Sequence, residues 1–192
     1  MSLPEPDELF DRFVAVHFPP GRLEGRMLPK VFPDMLTIKP GMSESQICVL
    51  PPELRERSAS AVATMVEAAR TDWSSLLSDS GEIDLAWIDA FDRKHDQAYV
   101  THLIETSDST DFSNDVLVSC CEFGAAIGHV LKGLRPELIW AYDYPYWDSW
   151  LYAADKGVMI HVFSWAFKKF SAYGINDGYA AKLVAAAKFL GE

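Results

Sequence analysis

Three observations make this chain an α+β protein. Apolar residues recur at helical spacing through residues 51–134, the period changes to strict alternation after Pro136, and a helical period returns before the C-terminus. Segregated helices and an antiparallel meander, rather than alternating βαβ units, define that class. The expected architecture is a set of N-terminal helices packed around a central glycine-containing helix, then a small antiparallel sheet of about three strands, then two C-terminal helices. A chain of 192 residues supports one substantial core and is short for two, so a single domain over 1–192 is expected.

The first fifty residues read as an irregular wrapping arm that begins with a helix. Leu9, Phe10, Phe13, Val14 and Phe18 keep helical spacing behind Asp7 and Glu8, and Pro19-Pro20-Gly21 ends that run. Beyond it Pro29, Pro33, Pro40, Gly25 and Gly41 leave only 35–39 and 46–50 as short strands. Pro51-Pro52-Glu53 opens the helical part, 51–134, with Leu54, Val62, Met65, Val66, Ala69, Trp73 and Leu76 on one face. A second helix is expected over 82–105, its seam running Ile88, Phe91, His95, Ala98, His102, Glu105.

The central helix spans 113–134, with Ser113 as its cap and Asp115 at the positive end of its dipole. Leu117, Cys120, Cys121, Gly124, Gly128 and Leu131 form one stripe whose middle is small, so another backbone can come close there. The other faces carry Val118, Phe123, Ala125, Ala126 and Val130, as expected of a helix held between layers. Glu122, His129 and Lys132 interrupt the run, which argues against a membrane span of roughly 20 apolar residues. Within 138–192, segments 138–143, 149–154 and 158–163 alternate as strands; Ser164 caps a helix over 165–172 and Asn176 one over 177–190.

A net charge of −11 disfavours nucleic acid, which needs a dense basic patch, and suits a basic protein partner. Cys48, Cys120 and Cys121 are odd in number, and the last two are adjacent on a helix, so all three are expected to be reduced. Residues 1–10 hold neither a basic region nor an apolar core, so a cytoplasmic location is the expectation.

His95 and His102 share a helix face, bracketed by Asp92 and Glu105, and Glu122 and His129 lie seven apart on the central helix. The first set has the donors for metal or acid–base chemistry, and the second could form an acid–base pair. The histidine spacing is neither H-E-x-x-H nor paired E-x-x-H, so structural roles, with a carboxylate hydrogen-bonded to the histidine, are expected and neither metal nor cofactor. The chain contains no GxGxxG, P-loop, G-x-S-x-G or H-E-x-x-H motif. Between Trp140 and Tyr152 seven aromatic residues alternate with Asp143 and Asp148. Such a run either builds the core or forms a binding face, for which Asp143, Tyr144, Tyr146, Trp147, Asp148 and Trp150 are the candidates.

The pattern Phe123-Gly124-x-x-Ile127-Gly128-x-Val130-Leu131, then Pro136, Trp140, Trp150-Leu151 and the apolar segment 158–163, resembles uncharacterised bacterial α+β domains with a glycine-containing helix before an antiparallel sheet. Some of these resemble immunity proteins of toxin systems. The likeness covers 112–172 and implies a fold; it carries no catalytic residue across. The expected function is a non-catalytic, acidic protein-binding domain of immunity or inhibitor type. The alternative is a small-molecule or carbohydrate binder, or an enzyme of unfamiliar type, using 140–152.

Overall fold

The computed structural model describes residues 2–17, 39–48 and 50–192, and its architecture is α+β. Helix α1, Pro6–Phe13, is capped by a reciprocal pair of Glu5 and Glu8 and buries Leu9, Phe10 and Phe13. It stops short of the expected residue 18, because Ala15–His17 tightens into a 3-10 turn. The strand expected over 35–39 falls outside the described residues, Lys39 excepted. The one expected over 46–50 is not formed at its start: Ser43 and Gln46 make a capping box that opens a one-turn helix, α2, Glu44–Ile47.

Helix α3, Pro52–Asp72, begins on Pro52 as its spacing predicts. The expected helix over 82–105 is two. Helix α4, Leu85–Lys94, ends at His95, and α5, Gln97–Thr106, starts on Asp96, whose carboxylate accepts from the Tyr99 N–H at 2.9 Å. The break shifts the phase of the seam: Ile88, Phe91 and His95 are buried, whereas Ala98, His102 and Glu105 face outward and Val100, Leu103 and Ile104 turn in.

Helix α6, Asp115–Leu134, is the centre of the core. Asn114 rather than Ser113 caps it, accepting from Leu117 N–H at 2.8 Å while its amide donates to the Phe13 and Asp111 carbonyls. The helix is long and apolar enough to cross a membrane by length and composition, but most of it is buried between α3 and the C-terminal helices. The small stripe does what its spacing implies. A Cβ on Gly124 would lie 2.5 Å from Phe163 Cδ1, and one on Gly128 would lie 2.5 Å from the Trp140 indole.

Three antiparallel strands, β1 (Ile139–Ala141), β2 (Trp150–Ala153) and β3 (Val158–Ile160), follow in the order β1-β2-β3. Trp140 stands opposite Leu151, and Leu151 opposite Ile160. Alternation then sorts the faces: Trp140, Leu151, Ala153, Val158 and Ile160 join the main core. Ile139, Ala141, Trp150, Tyr152 and Met159 form a second cluster closed by Met42 and Ile47 of the arm. Residues 39–48 thus wrap the sheet, and Gly41 N–H donates to the Ala154 carbonyl at 2.6 Å.

Strand β3 ends at Ile160 rather than 163: its last partner in the ladder is Leu151, and at His161 the chain turns into a helix instead of pairing on with Trp150. Helix α7, Val162–Lys169, therefore starts three residues before the expected 165, which brings Phe163 onto Gly124. Helix α8, Tyr179–Gly191, also starts later than expected. Its first N–H is satisfied by Asp92 of α4 at 2.7 Å, not by Asn176, and Val184 is exposed.

Candidate functional site

The β1–β2 connection holds most of the aromatic run. Its ends are tied by Ser149, whose hydroxyl accepts from Asp143 N–H at 3.0 Å, and by the Tyr146–Asp148 turn, in which Asp148 N–H donates to the Pro145 carbonyl at 2.9 Å. The Tyr144–Pro145 peptide is cis. The connection divides its side chains between inside and outside. Trp147 is 4% exposed and packs on Tyr146 and Phe112, with ring centroids 5.1 and 6.2 Å away. Trp150 is 7% exposed, on the other sheet face, against Tyr152 and His161. These two candidates are core residues, and the expected accessible face cannot be built on their rings. Asp143, Asp148 and Tyr146 are half-buried.

Tyr144 is the candidate that reaches solvent, 43% exposed, and the Arg57 guanidinium lies 5.7 Å from its ring centroid. Together with Tyr146, Trp147 and Pro145 it lines a cleft of about 220 Å³. The opposite contributors are Arg57, Ser58 and Ala61 of α3, and Phe112, which is 53% exposed. Phe112 and Ser58 were invisible to sequence reasoning as site residues. The sole available signal was Phe112 itself, an aromatic stranded in the polar stretch before α6.

Tyr146 points its hydroxyl inward at the Cys121 thiol. Burial raises both groups, the thiol to about 12. Cys120 is also raised well above the ordinary thiol range by burial, so neither cysteine is a thiolate nucleophile near neutral pH. Cys48 is buried as well and donates to the Tyr142 carbonyl at 3.1 Å.

A second cluster gathers titratable groups around Trp73. The indole N–H donates to Glu122 at 2.7 Å, Lys94 lies 4.8 Å above the ring, and His95 meets its edge at 4.7 Å. Burial, reinforced by Asp72 against the opposing indole bond, raises the Glu122 carboxyl to about 7. Burial lowers His95 to about 4; its Nδ1 bonds the Phe91 carbonyl at 2.9 Å, and Nε2 has no partner among the described residues. The carboxylate expected beside His95 is elsewhere, since Asp92 pairs with Lys169 at 3.2 Å. His102 and His129 are exposed, so neither predicted pair is brought together as a site. Among the described residues no three His, Cys, Asp or Glu side chains are grouped closely enough to hold a metal ion.

Other hollows open elsewhere on the described surface. One of about 450 Å³ lies between the start of α4 and the end of α6, with Glu82, Asp84 and His129 at its walls. Another of about 220 Å³ lies between Leu3, Arg12 and Ile104. No family model, curated protein or solved structure matches the chain.

Proposed function

We propose that the protein is a non-catalytic binding domain for another protein, which it meets at the face carrying Phe112, Tyr144 and the cleft they share. The observation that supports this reading best is the make-up of that cleft. At about 220 Å³ with aromatic walls, it suits one inserted side chain, below the roughly 300–1,000 Å³ of pockets that enclose a drug-sized molecule. Exposed aromatic residues beside such a cleft are the usual anchors of protein interfaces. The charge of −11 favours a basic partner, whose encounter rate it raises and whose binding salt weakens. A protein that works by covering its partner, as inhibitors and immunity proteins do, needs no chemistry of its own.

A small-molecule reading finds support in the 450 Å³ hollow. Its acid Asp84 is already committed, however, accepting from Ala86 and Trp87 N–H groups at 2.9 and 3.0 Å. Affinity capture with the parent chain and with a Phe112→Ala/Tyr144→Ala double variant tests the protein-binding reading. The expected result is a basic partner held by the parent, released at high salt and missed by the double variant. Recovery of the same proteins by both chains would rule this face out.

A further inference from the structure

Two donors without acceptors among the described residues line the aromatic cleft. Among the described arginines Arg57 alone makes neither a hydrogen bond nor an ion pair with a described residue; its neighbours in kind are spent on carbonyls or carboxylates. Ser58, next to it on α3, is 1% exposed, and its Oγ has no hydrogen-bond partner among the described residues. A buried hydroxyl without a partner carries a desolvation cost that an incoming acceptor removes. Consecutive helix residues point about 100° apart, so an acceptor serving both must sit in the cleft that both line.

A carboxylate is the group that fits. It offers two acceptor oxygens, pairs well with a planar guanidinium, and carries the charge that no described carboxylate brings within ion-pair distance of this exposed arginine. The remaining walls, Phe112, Tyr144, Pro145 and Trp147, call for an apolar or aromatic body one side chain in size. In a protein ligand, one residue joins a carboxylate to a ring or branched apolar group within that space: the last residue of a chain. Internal Asp and Glu bring the charge without the apolar body. We infer that the cleft between Arg57, Ser58 and the Tyr144 loop captures the C-terminal carboxylate of a partner chain ending in an aromatic or large aliphatic residue. The inference rests on the protein-binding reading above and adds the part of the partner that enters the cleft.

The test uses the full chain and a library of labelled peptides with randomised interiors, ending in Phe, Tyr, Trp or Leu, each made as the free acid and as the amide. Fluorescence anisotropy is the readout. The best acid is expected to bind at least tenfold tighter than its amide, and Arg57→Gln, at an exposed position, should bring the acid to the level of the amide. Ser58→Ala should narrow the same ratio. An amide that binds as well as its acid, a ratio indifferent to Arg57→Gln, or a library without an acid-dependent binder would each overturn the assignment. Free 3-phenylpropanoate binding as tightly as the best peptide would overturn the chain end in favour of a small aromatic acid. If a partner is captured through Phe112 and Tyr144 yet acid and amide do not differ, the carboxylate fails while the interface stands.

Discussion

The α-carbon of Gly124 faces that of Phe163 across the α6–α7 contact so closely that a Cβ at residue 124 would come within 3.0 Å of the Phe163 Cα. Backbone cannot move aside as a side-chain tip can. Gly124→Leu should therefore cost about 3 kcal/mol or more by overpacking, and even Gly124→Ala should destabilise. A Cβ on Gly133, on the same helix, would meet no described atom within 4 Å, so Gly133→Ala should stabilise by up to about 1 kcal/mol through helix propensity. Thermal melts should show opposite signs for the two alanine variants, at about 2–4 °C per kcal/mol for a chain of this size. A parent-like melt for Gly124→Leu would mean that the small stripe does not set the helix contact.

Lys169 is 1% exposed, and its ammonium serves Asp92 at 3.2 Å and the Ile175 carbonyl at 3.2 Å. Removing one member of a buried pair strands the other, so Lys169→Met should lose about 3–5 kcal/mol in a urea titration. The double variant Lys169→Met/Asp92→Asn should recover part of that loss, because the amide oxygen of the new side chain can still accept from Tyr179 N–H. No recovery would show that packing of the lysine stem, not the stranded charge, carries the cost.

Glu122 and His95 give stability opposite pH slopes. The Glu122 carboxyl holds its proton more tightly in the fold, about 7 against 4.5. Its contribution is complete below 4.5 and is lost as pH rises through about 7. His95 is favoured neutral, about 4 against 6.5, so its contribution is complete above 6.5 and is lost as pH falls through about 4. Glu122→Gln keeps an acceptor for the Trp73 indole and has no proton to lose. As pH rises from 5 to 8, the unfolding free energy of the parent should fall relative to that of this variant, a difference in which the histidine contributions cancel; equal slopes would place the proton elsewhere.

Trp147→Ala and Trp150→Ala should each destabilise by about 3–5 kcal/mol, as large core truncations do, and are unsuitable for probing an interface. Phe112→Ala and Tyr144→Ala, at exposed positions, should stay within about 0.5 kcal/mol of the parent. Denaturant midpoints for the four single variants decide the matter.

What could be read in advance was what local pattern encodes. Glycines four apart between apolar residues announced a close approach to α6, and alternation placed three strands within a residue or two at their starts. The misses are nonlocal. Nothing in residues 158–163 says that β3 leaves its ladder with β2 after Ile160. Nothing near Asn176 says that Asp92, 87 residues before Tyr179, caps α8. The α4–α5 break was legible in principle, since Asp96 is a good N-cap, but an unbroken seam through His95 outweighed it. For the candidate site, alternation required half of the aromatic run to be inside. Which half depended on the arm, because Met42 and Ile47 close the face that holds Trp150.

The burial of α6 on nearly every side sets a condition on how this chain is made. The helix is complete once residue 134 has been synthesised, yet α7 and α8, which cover it together with α3, end at residues 169 and 191. At roughly 5–20 residues per second, that leaves an interval of a few seconds or more in which an apolar rod has half its coat. During translation, α6 is therefore the segment most in need of a chaperone, and a chain halted in the sheet would present its stickiest surface to the cell.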